Sequence, residues 1–156
     1  MRKIGYFAIA ALIVQTAGAA RADDRALVES FYGLLNATQA PDLAARAEKI
    51  LAPNWSTRGN NSGGEGRDVF LKRAQGLGQA VPNLKWELIE VLREGNRYIV
   101  RGRATGTPAK PFLGVEPTGR SFDIMSIDIH TVENGRIAVS YHIEDWAGAI
   151  RQLRGN

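Results

Sequence analysis

The hydrophobic pattern of the chain is most regular between residues 120 and 146, where two runs alternate apolar and polar positions. The dipeptide Asn134-Gly135 separates the two runs. Asn-Gly supports the positive φ angles that a type I′ turn requires, and alternation with a period of two is typical of a half-buried strand. The pattern therefore predicts a β-hairpin.

A two-residue turn at Asn134-Gly135 determines which residues of the two strands face each other, because cross-strand partners share a face. Glu133 then pairs with Arg136, and the pairs further along are His130 with Val139, Asp128 with Tyr141, and Ser126 with Ile143. One face would carry Phe122, Ile124, Ser126, Asp128, His130, Ile137, Val139, Tyr141, Ile143 and Asp145. The other would carry Met125, Ile127, Ile129, Ser140, His142 and Glu144.

Three ionisable residues, Asp128, His130 and Asp145, fall on the predicted apolar face. A carboxylate among apolar groups is costly unless it is paired or takes part in chemistry. Two interpretations stay open. The three residues could be structural, either hydrogen-bonded within the core or exposed near the strand ends, or they could line a ligand pocket.

Helical spacing of apolar residues comes before the strands. The sequence predicts helices over about 24–38, 41–51 and 66–77, a loop over 56–66, and strands from residue 85 and over 97–105. A second loop over 106–119 leads to the hairpin, and a short helix over 144–153 ends the chain. Helices segregated before an antiparallel sheet indicate an α+β fold.

The N-terminus has the features of a signal peptide. Arg2 and Lys3 precede an apolar run from Ile4 to Ala17, and Ala20-Arg21-Ala22 offers a cleavage site. We expect residues 1–22 to be removed and residues 23–156 to form one domain, periplasmic or secreted, without stable membrane contact after cleavage. An uncleaved anchor is the alternative, although the run is short for a membrane span.

The charge of the predicted mature chain gives no electrostatic case for nucleic acid as a partner. The whole chain carries a net +4, but removal of Arg2, Lys3 and Arg21 lowers the basic count from 20 to 17, against 16 acidic residues. Cysteine is absent, so neither disulfides nor thiolate chemistry is available.

Several residues outside the hairpin are candidates for binding a ligand. Arg101 lies on one face of a predicted strand, where it would be either solvated or in contact with a carbonyl or anionic group. Phe112 lies in the long loop as a lid residue or as part of a minor core, and Trp55 precedes the glycine-rich loop. Tyr141 and His142 complete the set, with His142 on the opposite face unless a β-bulge reverses it.

The second half of the chain resembles the SnoaL-like polyketide cyclase or ester cyclase family. The resemblance covers residues 81–152 and is carried by Pro117-Thr118-Gly119-Arg120 and by the hairpin with its aspartates. Pro82-Asn83-Leu84 stands where the family has proline-aspartate-leucine. Tyr141 stands where the family has a tryptophan. The resemblance implies a nuclear transport factor 2-like conical α+β barrel, with three N-terminal helices packed on a curved antiparallel sheet and a short C-terminal helix.

The resemblance also implies a carboxylate that acts as acid and base, which we carry over to Asp145 with Asp128 as the second choice. A carboxylate desolvated in an apolar pocket can remove a proton next to a carbonyl group, and His130 could stabilise the enolate oxygen. The substrate would be a small hydrophobic carbonyl compound that is cyclised, isomerised or hydrolysed. We expect no cofactor and no metal, although two carboxylates and a histidine could also bind a divalent ion.

Two other functions remain compatible with the sequence. The domain could hold a small hydrophobic ligand without transforming it, since one fold serves many functions. It could also be an interaction protein, and we expect a homodimer formed through the face that carries Met125, Ile127 and Ile129.

Overall fold

The computed structural model describes residues 13–155, with side chains from residue 24 onward. Residues 1–12, the first part of the predicted signal peptide, lie outside the described residues. The helices are α1 (Ile13–Leu35), α2 (Leu43–Ile50), α3 (Arg67–Ala80) and α4 (Trp146–Arg154). The strands are β1 (Leu51–Arg58), β2 (Glu65–Gly66), β3 (Lys85–Glu94), β4 (Arg97–Gly106), β5 (Phe122–Glu133) and β6 (Arg136–Glu144). None of the helices described is long and apolar enough to cross a membrane.

The predicted α+β class and the four helices are confirmed, but the sheet has six strands where the sequence predicted four. The strand order is β2-β1-β6-β5-β4-β3. β1 pairs with β6 in parallel, so the sheet is mixed. The prediction missed β1 because Pro53 interrupts its pattern, and the structure accommodates that proline in an irregular stretch between Leu51 and Ser56.

The hairpin of β5 and β6 forms around Asn134 and Gly135, which have φ angles of 51° and 70°. Glu133 pairs with Arg136 as predicted, but the predicted register further along is wrong. Val132 pairs with Ile137 and Thr131 with Val139, so Ala138 is an extra residue on β6. A bulge of this kind inverts every side chain beyond it.

The bulge exchanges the residues that β6 presents to the two faces of the sheet. His130 pairs with Ser140, Asp128 with His142, and Ser126 with Glu144. The inner face, which packs against the helices, therefore receives Ser140, His142 and Glu144. The outer face receives Tyr141 and Ile143, which are 37% and 69% exposed.

The core lies between the inner face of the sheet and the helices. α1 contributes Val28, Phe31, Tyr32 and Leu34, and the sheet contributes Trp55, Tyr98, Val100, Phe122 and Ile137. A second irregularity, between Leu88 and Glu90 of β3, also bends the sheet around the helices. This curvature leaves space between the strands and α1 and α3, where the candidate site lies.

Candidate active site

Asp128 and His130 are neighbours on the inner face of β5, two residues apart as the strand alternation requires. Asp128 is 7% exposed and His130 is fully buried. Across the sheet they face Val100 and Tyr98 of β4 on one side, and His142 and Ser140 of β6 on the other. The centre of the sheet thus holds an ionisable pair between apolar and polar neighbours.

A continuous set of hydrogen bonds connects these residues to β1 and α1. The indole Nε1 of Trp55 donates to Ser140 Oγ at 3.1 Å, and Ser140 Oγ lies 2.8 Å from His130 Nδ1. On the other side of the imidazole, His130 Nε2 lies 3.4 Å from the hydroxyl of Tyr32. That hydroxyl donates to Asp128 Oδ2 at 2.9 Å.

The electrostatics of Asp128 are dominated by its burial. Desolvation raises the pKa of Asp128 to about 6, although the hydrogen bond from Tyr32 opposes the shift. Burial also lowers the pKa of His130 to about 3, so its imidazole is neutral at physiological pH. Desolvation and the neighbouring Asp128 raise the pKa of Tyr32 above its ordinary range. Asp128 is therefore the group of this cluster whose charge changes near neutral pH.

His142 and Glu144 form a second ionisable pair on the inner face, on the strand next to Asp128. His142 Nδ1 lies 2.9 Å from Glu144 Oε1, and both side chains are mostly buried. The hydrogen bond to Glu144 raises the pKa of His142 from its ordinary value, against the effect of burial. Nδ1 therefore donates to Glu144, and this contact favours the form of the imidazole that also carries a proton on Nε2.

Asp128, His142 and Glu144 line one small cavity of about 40 Å³. Most of its wall is apolar, and that part comprises Phe31, Leu35, Phe70, Ala74, Leu77, Trp86 and Trp146. A cavity of this size holds about one water molecule. The interior is therefore closed to all but a small part of any larger ligand.

A wider bowl of about 490 Å³ lies next to this cavity, and the two share Thr57, Arg73 and His142. The glycine-rich loop that the sequence predicted after Trp55 forms much of its wall, through Gly59, Asn60, Ser62, Gly63 and Gly64. Arg73 is held by Glu65 at 3.0 Å. The wall of the bowl is mixed, with polar side chains and glycines, whereas that of the cavity is mostly apolar, and His142 belongs to both.

The predicted placement of Asp145 in the pocket is wrong. The strand ends at Glu144, and Asp145 caps the N-terminus of α4, where its Oδ1 accepts a hydrogen bond from the backbone N–H of Gly148 at 2.7 Å. Its side chain is 54% exposed. An aspartate at this position satisfies a free helix N–H group, which explains its presence without chemistry.

Two predicted binding residues lie on the outer face, away from the cavity. The Ala138 bulge turns Tyr141 outward, where the guanidinium of Arg58 lies 5.8 Å from the centre of its ring. Arg101 forms an exposed ion pair with Glu90 at 3.2 Å. The solvated alternative for Arg101 is the one that the structure supports.

Trp55 and Phe112 belong to the core and do not line the cavity. Trp55 is buried and supports Ser140, while Phe112 stacks against Phe122 at 5.9 Å beneath the long loop. For Phe112, the minor core is observed and the lid is not. His130 is equally remote from the cavity, because both of its ring nitrogens face protein groups.

Sequence reasoning missed Tyr32, Ser140 and Glu144. Tyr32 lies on a predicted amphipathic helix, where a tyrosine suggests only packing, and its partner is 96 positions away. Ser140 and Glu144 were assigned to the wrong face because the bulge has no sequence marker. Among the residues described, no cluster of three His, Asp or Glu side chains could hold a metal ion.

The profile of the SnoaL-like polyketide cyclase family matches residues 27–153, so the chain belongs to this family, which has the nuclear transport factor 2-like fold. No curated protein matches the chain in sequence.

Several solved structures share the fold of this chain. TsrD from Streptomyces laurentii is 26% identical, with a TM-score of 0.72 over 85% of this chain and 96% of that one. IdmH from Streptomyces antibioticus is 21% identical, with a TM-score of 0.73 over 84% of this chain and 98% of that one. A SnoaL-like protein from Jannaschia sp. CCS1 is 18% identical, with a TM-score of 0.74 over 86% of this chain and 94% of that one.

Proposed function

We propose that the protein catalyses proton transfer at a carbon next to a carbonyl group, with Asp128 as the general base. The observation that carries this proposal is a nearly buried carboxylate, with a pKa of about 6, that lines an apolar cavity. A base whose pKa lies close to the working pH is both ionised and strong enough to accept a proton. Cyclisation and isomerisation can both begin with this step, whereas in ester hydrolysis the same carboxylate would take its proton from the attacking water.

His142 is our choice for the group that stabilises the developing enolate oxygen. It lines the same cavity as Asp128, and Glu144 holds it through Nδ1. Its Nε2–H is then free to donate to an oxygen that gains negative charge. His142 replaces His130 in this role, since His130 is enclosed by Ser140 and Tyr32.

The substrate class follows from the two compartments. The cavity of about 40 Å³ accommodates the reacting carbon and oxygen, while the bulk of the molecule lies in the bowl of about 490 Å³. The apolar wall favours a hydrophobic group beside the carbonyl, and a substrate bound there would displace water from the base. We therefore propose a small, mostly hydrophobic carbonyl compound with a polar end.

Deuterium exchange tests the proposal without knowledge of the natural substrate. A panel of aryl ketones that includes α-tetralone is incubated in D2O, and exchange at the carbon next to the carbonyl is followed by NMR. We expect acceleration by the protein, its loss in Asp128→Asn, and its retention in Asp123→Asn, which changes an exposed aspartate on the outer face of the same strand. Acceleration that survives in Asp128→Asn would exclude Asp128 as the base.

The competing function is a non-catalytic binding module that uses the same cavity and bowl. It predicts calorimetric binding of members of the panel with no acceleration of exchange by the unmodified protein. Asp128→Asn should then change affinity alone.

We also propose that the protein is exported and that residues 1–22 are removed. The basic head, the apolar run and the Ala20-Arg21-Ala22 site support this. N-terminal sequencing of the protein recovered from the periplasm or the medium should begin at Asp23. Recovery of the full chain from the cytoplasm alone would contradict export.

A homodimer is the remaining part of the proposal. Met125, Ile127 and Ile143 are exposed together on the outer face, and pairs such as Arg101 with Glu90 border them. An apolar area with a polar border suits a symmetric interface, in which each protomer contributes the same surface.

A further inference from the structure

We infer that Tyr32 is a positioning residue that restricts proton exchange to one oxygen of Asp128, and that a one-way chain of buried hydrogen bonds holds Tyr32 in this role. The inference rests on the proposed function, in which Asp128 is the base. It assigns a role to four residues, of which Ser140 lines the cavity while Trp55, His130 and Tyr32 lie behind its wall.

Trp55, at one end of the hydrogen-bonded chain, determines in which direction each hydrogen bond is donated. An indole N–H can only donate, so Ser140 Oγ must accept from Trp55. The remaining Ser140 hydroxyl proton then needs an acceptor, and His130 Nδ1 lies 2.8 Å away. The Ser140 hydroxyl therefore donates to Nδ1.

The last member determines the direction from the other end. The Tyr32 hydroxyl has one proton, and the ionised Asp128 carboxylate at 2.9 Å is its strongest available acceptor. The Tyr32 oxygen is then free to accept a hydrogen bond. His130 Nε2, at 3.4 Å, is the group in position to donate it.

Both ends require the same form of the His130 imidazole, protonated on Nε2 and bare on Nδ1. The opposite tautomer would place the Nε2 lone pair against the Tyr32 oxygen and leave the Ser140 hydroxyl without an acceptor. Ser140, His130 and Tyr32 each accept one hydrogen bond and donate another, and a group that accepts a hydrogen bond becomes a better donor. The contact between His130 and Tyr32 is the longest of the chain and hence its weakest link.

The hydrogen bonds distinguish the two carboxylate oxygens of Asp128. Oδ2 accepts from Tyr32 and, at 3.4 Å, from Ser126, whereas Oδ1 accepts no hydrogen bond from the described part of the chain. Since Asp128 lines the cavity, Oδ1 is the oxygen left for the substrate. A proton taken by Asp128 then stays on the cavity side, from which it can be returned to the substrate.

The tautomer of His130 is the first test. The chain contains two histidines, so the nitrogen-15 spectrum of labelled protein is simple, and a His142→Gln variant assigns it. We expect His130 to be the Nε2-protonated tautomer at pH 8. Protonation on Nδ1 would overturn the inference, whatever the protein catalyses.

The second test compares two tyrosine variants. Tyr32→Phe removes the hydroxyl that favours ionised Asp128, so the pKa of Asp128, measured by carbon-13 carboxyl titration, should rise by about one pH unit. Tyr98→Phe is the matched control, because Tyr98 pairs with His130 in the sheet and its buried hydroxyl has no hydrogen-bond partner in the region described. An unchanged Asp128 titration in Tyr32→Phe, or an equal change in Tyr98→Phe, would count against the inference.

Kinetics separate this inference from the proposed function. If both hold, the acid limb of kcat in Tyr32→Phe moves to higher pH while KM changes little. If the Asp128 titration shifts in Tyr32→Phe but Asp128→Asn keeps full activity, the hydrogen-bonded chain is supported and Asp128 is rejected as the base. Activity that requires Asp128 but keeps the same acid limb in Tyr32→Phe would reject the positioning role.

Discussion

The hydroxyl of Tyr32 on α1 donates a hydrogen bond to Asp128 Oδ2 on β5, at 2.9 Å and across 96 positions of sequence. This contact links the helical layer to the middle of the sheet at Asp128, the more deeply buried of the two carboxylates that line the cavity. The site is thus assembled from two layers, and either one alone would leave Asp128 without its donor.

We expect Asp145→Asn to leave exchange activity nearly unchanged, in contrast to a loss of about 10²-fold or more in Asp128→Asn. Asparagine caps a helix N-terminus about as well as aspartate, so α4 should stay intact. Exchange rates with α-tetralone, alongside thermal unfolding of both variants, give the comparison. A large loss in a stably folded Asp145→Asn protein would restore Asp145 as the catalytic candidate.

The activity should depend on pH with an acid limb and an alkaline limb. Below a pH of about 6 the rate should fall as Asp128 becomes protonated. At higher pH the rate should fall again once His142 loses its Nε2 proton. The Nδ1 proton stays in the hydrogen bond to Glu144, so the imidazole then has no proton to donate to the substrate. Profiles of kcat/KM measured for the unmodified protein and for Glu144→Gln test this, and Glu144→Gln should move the alkaline limb to lower pH.

Asp128→Asn should stabilise the fold at neutral pH. Folded Asp128 holds its proton up to a pH of about 6, whereas an unfolded aspartate releases it near 3.8, so the charge destabilises the folded state as pH rises through this interval. The full effect is about 3 kcal/mol. The free energy of unfolding in urea, measured at pH 4 and pH 8, should therefore favour the variant more at pH 8.

His130 does not disturb that comparison, because it is present in both proteins. Its lowered pKa costs both of them stability as the pH falls below about 6.5, where the unfolded chain takes up a proton and the folded chain does not. An advantage of Asp128→Asn that is the same at both pH values would show that burial does not raise the pKa of Asp128.

Ile127→Lys should convert a dimer to a monomer while it preserves the exchange activity. Ile127 is 38% exposed on the outer face, so the lysine can reach solvent in a monomer but would place a charge within the proposed interface. Light scattering coupled to size-exclusion chromatography measures the mass. Val69→Lys is the control, because Val69 is an apolar residue on α3 that is 59% exposed. An unmodified protein that is already monomeric rejects the dimer.

Deletion of Ala138 should be far more damaging than Ala138→Gly. The deletion removes the extra residue of β6, which would turn Ser140, His142 and Glu144 outward and bury Tyr141 and Ile143. The hydrogen bonds that Ser140 makes with Trp55 and His130 would be lost together. Circular dichroism and thermal unfolding should show a collapsed or strongly destabilised sheet, and a deletion variant with normal stability would mean that the bulge does not set the register.

Local sequence determined the class of fold and the place of the hairpin. The helical spacing of α1, the alternation of β5 and the Asn134-Gly135 turn are each readable within about ten residues, because they depend on short-range conformational preferences. The inward direction of Asp128 and His130 followed from the same alternation. The residues from Pro117 to Arg120 supported the resemblance to the SnoaL-like family.

Tertiary structure alone decided which groups meet Asp128. The bulge at Ala138 turned Tyr141 outward and Ser140, His142 and Glu144 inward, and the end of β6 at Glu144 left Asp145 at the helix cap. No short-range pattern in the sequence marks either change. Tyr32 reaches Asp128 only because a helix packs across the sheet. The sequence by itself therefore identified a buried carboxylate, and long-range packing chose its partners and the oxygen it offers to a substrate.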